Sequence, residues 1–413
     1  MAVKVVMVGS FGLRKKGTMG VRALPMAQAL AARGHSVTLL VPPWDTPSDA
    51  GFEIELGGVQ VVNVALGPAI PLLSHLLTVL QLTWATLRRR PQVVHVFKPK
   101  AYGGGVAFLM WTLKLLRLCH ARLVIDADDW EGAGGWNDLD DLPTPLKALV
   151  SWQERWGYRS CEALTVASRT LEGIAWSLGV PKRRVHYVPN GVQHWVTRAS
   201  REARLRVREA HGLGERPVVL LYTRFFEFEP RRVVEVLARL RQRVRDYALL
   251  VVGSGLDADD EREFRQLLAR AGLLAATVFS GWVEMERLPD YFAAADVAIY
   301  PFDDTLVNRA KCAVKMIDLL AAGVPVVSDR VGQASEYIEH GETGVLVGPG
   351  DVEGFAEALA ALLASPQQRA LIGQRCREQV NARFAWDRLA ESVENAYGLS
   401  AQPQSSRLTL AQS

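Results

Sequence analysis

Lys311, Lys315 and Asp318 fall close together in the stretch NRAKCAVKMIDLLAAGVPVVSD at 308–329. Read as a helix, the stretch puts Lys315 and Asp318 on one face, three residues apart. Two amines at the front of a helix, where backbone N–H groups lack partners, make an anion site. A carboxylate one turn later can accept hydrogen bonds from hydroxyls of the same ligand, or pair with Lys315. A second concentration of charge is acidic: Asp126, Asp128 and Asp129 in IDADDW. These carboxylates could orient or deprotonate an incoming hydroxyl, hold a metal, or cap the next segment. His95 and Lys98, in and just after the run QVVHVF, are expected near them, and Arg224 closes the run VVLLYTR. Arginine offers planar paired donors that fit phosphate oxygens and keeps its charge.

These residues need strand ends to hold them, and the chain supplies a regular series. KVVMVGS reads as a buried strand. A glycine-bearing loop (Gly9, Gly12, Gly17, Gly20), the helix VRALPMAQALAARG and the strand HSVTLLVP follow. Strand, helix and strand at this spacing predict a parallel sheet with crossover helices. The alternation runs to Asn190-Gly191, breaks in a polar, Arg-rich segment over 195–217, and restarts with VVLLYTR. The fold class is therefore α/β, with two doubly wound, Rossmann-like parallel sheets facing a cleft. The first domain is 1–192 and the second 193–385. A last helix near 386–398 is expected to cross back onto the first domain, and 399–413 reads as a flexible tail. In such sheets ligands bind beyond the carboxyl ends of the strands. With 413 residues, two cores are expected.

Composition narrows the function classes. The four cysteines are far apart, with no CxxC, so structural zinc is not expected and a reducing, cytoplasmic setting fits. The first 100 residues hold eleven Lys/Arg against four acids. That bias suits phosphate or an anionic membrane surface, or is simply a solvated face. Residues 69–87 carry no formal charge and end in Arg88-Arg89-Arg90; they read as an amphipathic helix, facing the core or docked on a membrane surface. Gly9, Gly12, Gly17 and Gly20 have the wrong spacing for GxGxxG, Gly253 and Gly255 lack a third glycine, and no GxxxxGK[ST] occurs. A dinucleotide or P-loop enzyme is thus disfavoured. Glycines such as Gly12 remain suited to close backbone approach by a ligand.

The ordered series of motifs resembles the family-four retaining glycosyltransferases of GT-B fold (glycosyl transferases group 1). The matching pieces are VVLLYTR with Arg224, VVGSG with Gly253 and Gly255, VFSGWV with Trp282 and Val283, YFAAADVAIYP, the 308–329 stretch, and VGQASEYIEHGETGVLV with Glu336. ARGHSVTLLVP and VPNGV agree in the first half. Arg231 stands in the family's lysine place. The family signature has two glutamates eight positions apart; Asp318 holds the second place and Ala310 the first. Where relatives carry His-Asp, this chain has Asp128-Asp129.

The resemblance implies a retaining hexosyl transfer from a nucleotide-diphosphate sugar to a hydroxyl of a glycan, a lipid-linked acceptor or a small molecule. Arg224 and Arg231 would stabilise the diphosphate leaving group without a metal, with Asp128 and Asp129 at the reacting hydroxyl. Gly12, Gly253, Gly255, Trp282, Val283, Lys311, Lys315, Asp318 and Glu336 would hold the donor, Asp318 at the ribose. His95 and Lys98 would meet the acceptor. No cofactor is expected beyond the sugar donor, and no nucleic-acid partner. The expected setting is cytoplasmic, either free or peripheral on the inner membrane face. Two other readings stand beside this one: another GT-B enzyme such as a nucleotide-sugar epimerase, and a GT-B protein that binds nucleotide or glycan without turnover, which Ala310 and Asp128 favour.

Overall fold

The computed structural model describes all residues except 1, 14–16, 69, 71–72, 140, 194, 197–199, 256–257 and 400–413. The tail expected from 399 therefore lies, from residue 400 on, outside the described residues. Eight strands form the first sheet: β1 (Lys4–Val8), β2 (Ser36–Val41), β3 (Glu53–Leu56), β4 (Val59–Asn63), β5 (Val93–Phe97), β6 (Arg122–Ala127), β7 (Ala163–Val166) and β8 (Val185–Tyr187). Their order is β3-β4-β2-β1-β5-β6-β7-β8. All neighbours pair in parallel except β3 and β4, a hairpin that alternation of strand and helix did not predict. The second sheet has six parallel strands: β9 (Val218–Tyr222), β10 (Ala248–Val252), β11 (Thr277–Phe279), β12 (Val297–Tyr300), β13 (Val326–Asp329) and β14 (Val345–Val347), in the order β11-β10-β9-β12-β13-β14.

Central strands such as VVHVF and ALLVV are buried throughout, as parallel strands covered by helices on both faces must be. Each sheet thus carries two apolar layers. The strand order reverses between β1 and β5 in one sheet and between β9 and β12 in the other. Ligand crevices open at such switch points. Ser10 and Lys98 follow the first pair, Arg224 and Asp303 the second.

The helix Trp386–Ala396 returns to the first domain. Trp386, Leu389, Ala390 and Val393 lie in its core with Val3, Val5 and Leu30. Each such large side chain contributes about 1.5–3 kcal/mol when fully buried. Trp386 also lies so close over Gly191 that a Cβ there would be 2.8 Å from its ring. An 18-residue helix, Pro366–Arg383, links this return to the second domain and was not anticipated. The polar boundary contains the helix Arg201–Ala210, whose Arg204 and Arg208 both bind Asp296.

Candidate active site

The basic stretch does not form one continuous helix. A short helix, Leu306–Ala310, ends at Lys311, and the main helix is Val314–Ala322, stopped by Gly323 in the left-handed conformation (φ 79°). Between them the Ala313 N–H donates to Gln333 Oε1 at 2.7 Å. The helix start therefore spends one of its free amides inside the protein. Lys311 and Lys315 turn instead to Glu227, both reaching its Oε1, at 2.8 and 2.7 Å. Burial opposes ionisation of Glu227, but the two lysines hold its carboxyl well below the usual range. Burial also pulls Lys315 down to about 8 and pushes Asp318 up to about 8. Asp318 is 2% exposed, and its Oδ1 has no hydrogen-bond partner among the described residues. Such an atom is costly unless something else satisfies it.

Arg224 leaves the end of β9 beside this cluster. The turn is tight: Thr223 Oγ1 accepts the Phe225 N–H at 2.7 Å, and Phe225 adopts φ 67°. Gly253, at the end of β10 with φ 112°, lies against the same turn; a Cβ there would be 2.2 Å from the Thr223 carbonyl oxygen. The Arg224 guanidinium stands 5.9 Å from the centre of the exposed Trp282 ring. Val283 packs on the second core, and Gly255 sits half-buried beyond β10. Lys311 also lies 3.9 Å from the Phe226 ring centre, and Phe226 meets Trp136 of the first domain at 5.2 Å. One wall of the cleft thus gathers Arg224, Lys311, Lys315, Asp318 and Trp282.

The opposite wall is acidic, and most of its charge is paired within it. Lys98 Nζ lies 3.4 Å from Asp128, 2.7 Å from Asp129 and 3.0 Å from Glu131. Lys100 also binds Glu131. Burial opposes the Lys98 charge, but the three carboxylates raise its pKa well above the ordinary value. Burial pushes the Asp129 carboxyl up, despite Lys98 beside it. Thr18 Oγ1 donates to Asp128 Oδ2 at 2.8 Å, while Asp128 Oδ1 has no hydrogen bond among the described residues. Asp126 is not a cleft residue at all. Arg22 clamps it through two 2.7 Å bonds, both side chains fully buried, and also donates to Asn190 Oδ1 at 3.1 Å.

Four expectations need correcting. His95 does not reach an acceptor: it is fully buried, its Nδ1 pairs with the Tyr397 hydroxyl (2.9 Å) and its Nε2 with Thr165 (3.1 Å). Burial, with Arg22 nearby, pushes it down to about 3, so it sits neutral in the core. Arg231 does not join Arg224: its side chain is 74% exposed and approaches Glu229 at 3.9 Å. The helix begins at Pro230, which turns Arg231 to solvent and its neighbour Arg232 inward onto Asp303 and Asp329. Gly12 does not open space for a donor; its N–H donates to Asp45 Oδ1 at 2.9 Å, and a Cβ would lie 2.5 Å from that oxygen. Glu336 is a strut between the domains, accepting the Arg169 N–H (2.9 Å) and the Tyr187 hydroxyl (2.6 Å).

Sequence reasoning missed Arg22, Glu227 and Lys100. Arg22 had a signal, a lone charge in the apolar run VRALPMAQALAA. Glu227 had a weaker one, an acid between phenylalanines in FFEFE. Ala310, in the family's first glutamate place, is buried in the first domain's core, and its carbonyl accepts the Ser168 hydroxyl at 2.9 Å.

Two facing α/β domains, with cations and an unsatisfied carboxylate at the switch point of the second, have the architecture of the GT-B fold. The comparisons with known proteins agree. Residues 17–191 match the family model "Glycosyl transferase 4-like domain", and residues 216–365 match "Glycosyl transferases group 1". A GDP-mannose-dependent alpha-(1-6)-phosphatidylinositol monomannoside mannosyltransferase of Mycobacterium tuberculosis is 26% identical over 400 residues, covering 94% of this chain and 96% of that one. A D-inositol 3-phosphate glycosyltransferase of Geodermatophilus obscurus is 27% identical over 412 residues, covering 95% and 86%. Among solved structures, the fold resembles sucrose-phosphate synthase from Thermosynechococcus elongatus, with a TM-score of 0.75, 21% identity and coverage of 96% and 98%. It also resembles an Anabaena protein solved with UDP and glucose, with a TM-score of 0.73, 17% identity and coverage of 96% and 99%. The chain belongs to the group 1 glycosyltransferases, and it is a nucleotide-sugar-dependent glycosyltransferase.

Proposed function

We propose that the protein moves a hexosyl unit, with retention of anomeric configuration, from a nucleotide-diphosphate sugar to a hydroxyl of a glycan or lipid-linked acceptor. The observation that carries this reading is the second-domain wall. Lys311 and Lys315 gather around the single carboxylate Glu227, with Arg224 near Lys315, and beside them Asp318 keeps a buried, unpartnered oxygen. A breaking glycosidic bond leaves negative charge on the diphosphate, and fixed cations at that point stabilise the transition state. Arg224 and the lysine pair face the phosphates. Asp318 accepts from the ribose hydroxyls, and the Trp282 ring borders the base. Across the cleft Asp128 orients the attacking hydroxyl, with Lys98 holding its neighbours in place. Same-face attack supplies the retention, and no side chain serves as a covalent nucleophile.

The relatives' names supply the first substrates to try: GDP-mannose as donor, and inositol-containing or lipid-borne polyols as acceptors. A thermal-shift panel of UDP, GDP, ADP and their sugars tests the donor side, since a bound ligand raises apparent stability by mass action. A rise with one nucleotide and its sugars is the expected outcome; no rise with any of them would sink the reading. Ala310, with no side chain to grip a donor sugar where the family has its first glutamate, favours one other reading, binding without turnover. Release of nucleoside diphosphate from a donor that shifts the melting point separates the two.

A further inference from the structure

The helix Leu73–Arg88 buries Leu82 and Ala85 in the first domain's core, yet it also turns an apolar stripe outward. Its buried positions include Thr78, Thr83 and Thr86, while Leu73, Leu76, Leu80 and Trp84 are exposed, Trp84 at 61%. Those four recur at the three- and four-residue spacing of one helical stripe. The threonines tolerate burial because each hydroxyl donates to the carbonyl four residues back: Thr78 to Ser74, Thr83 to Val79 and Thr86 to Leu82, all at 2.8 Å. An isolated exposed leucine needs no explanation; a stripe of leucines with its polar partners facing inward does.

The stripe continues onto two neighbouring helices. Ala101–Leu115 packs beside it so closely that a Cβ on Gly105 would meet Val79 at 2.9 Å. Thr144–Ser160 lies on the other side of that helix. Phe108, Trp111, Trp152 and Trp156 join these two in one aromatic surface cluster. Phe108 lies 5.4 Å from Trp156, and Trp152 stacks on Trp156 at 5.9 Å. Leu115, Leu116, Leu118 and Leu149 extend the apolar area. All three helices cover one face of the first sheet, and each starts at its cleft end.

Charge identifies the occupant. Between Glu55 and Asp126 the chain has no acid but eight Lys/Arg. Arg88 and Arg90 are exposed at the end of the first helix, with Arg88 over the Trp84 ring at 5.2 Å, and Arg117 is exposed after the second. The nearby Glu162 is bound by Lys114, and Asp138 and Asp141 lie ahead of the third helix, toward the cleft. Leucine and tryptophan bordered by arginine is the composition of a surface that lies in the interface of an anionic bilayer. Among the described residues no helix is long and apolar enough to cross a membrane, so the face would lie on it. A symmetric dimer through this face would set Arg88, Arg90 and Arg117 against basic copies of themselves.

We propose that the outward face of this three-helix layer docks on an anionic lipid bilayer. Docking is independent of which sugar is moved. Its benefit, a lipid-borne acceptor delivered beside Lys98 and Lys100 where the second helix begins, rests on the transferase reading above. The test therefore reads vesicle binding and nucleotide binding separately.

The full chain is floated with vesicles of phosphatidylcholine, with and without phosphatidylglycerol, at low salt and at about 1 M salt, where exposed charges are screened. The wild type binds the anionic vesicles at low salt and is released by salt. The variant Leu76→Ser/Leu80→Ser/Trp84→Ser keeps its melting temperature and nucleotide shift but loses roughly tenfold or more in vesicle partition. Arg88→Glu/Arg90→Glu loses roughly tenfold on anionic vesicles. A wild type that stays in solution with anionic vesicles at low salt overturns the proposal. So does undiminished binding by the serine variant, or a wild-type dimer that this variant turns into a monomer without any vesicle binding.

Discussion

On the first-domain wall of the cleft, Asp128, Asp129 and Glu131 converge on Lys98, and Lys100 adds a second cation. On the second-domain wall the signs are exchanged: Lys311 and Lys315 converge on Glu227, with Arg224 beside them. The two clusters are not equivalent. Behind the first lies a saturated pair, Arg22 and Asp126, whose polar atoms are met inside the protein. The first has more carboxylates than cations and leaves Asp128 Oδ1 without a hydrogen bond among the described residues; the second has more cations than carboxylates in its lysine–glutamate group and leaves Asp318 Oδ1 without one. Buried charge that is already paired holds a fold; surplus charge facing a cleft is available to a ligand.

That contrast can be broken most sharply at Arg22. Arg22→Met would leave Asp126 buried without its cation, and unfolding free energy measured in denaturant should fall by about 3–5 kcal/mol. Unchanged stability would remove the structural role of this layer. Arg224→Ala should do the opposite, leaving the melting temperature near the wild-type value while turnover falls by roughly 100-fold or more, on the order of 3 kcal/mol. A variant of that kind with normal turnover would take Arg224 off the phosphates.

The pH dependence of nucleotide binding sharpens the comparison further. In the ligand-free site, Lys315 loses its proton and Asp318 ionises as pH rises through about 8. Both changes make the site less positive, so the protein with bound anion takes up more protons than the free protein in that window. Affinity for a nucleoside diphosphate should therefore be full below about pH 7 and fall roughly tenfold by about pH 9. Calorimetric titration across that range reads it, and Lys315→Arg should flatten the fall. An affinity that rises over the same range would contradict the burial of both groups. The smallest effect belongs to Arg231→Ala. With an exposed side chain and a loose contact to Glu229, it should change turnover by less than about threefold.

The differences between expectation and structure follow one pattern. The parallel sheets, Gly323 as the helix stop and the strand-end position of Arg224 were legible because they depend on local spacing and backbone preference. His95 was not, because a histidine in an apolar strand looks the same whether it faces a cleft or, as here, meets Tyr397 from a helix 302 residues away. Arg231 and Arg232 are neighbours in sequence, yet Pro230 at the helix start sends one to solvent and the other to Asp329. Glu336 looked like a cleft residue until the first domain supplied a hydroxyl and an N–H for both its oxygens.

The residues at 73–88 show the same division. Their polar and apolar spacing alone allowed either a core helix or a membrane-facing one, and only packing against the first sheet decided that the threonines turn inward. By itself, the sequence determined the two α/β domains, the transferase family and the chemical types available to the cleft. Periodicity and ordered motifs are carried along the chain. The tertiary structure alone decided which charges cancel and which remain open, because pairing depends on distances between residues far apart in sequence, and burial makes each unmatched pair costly.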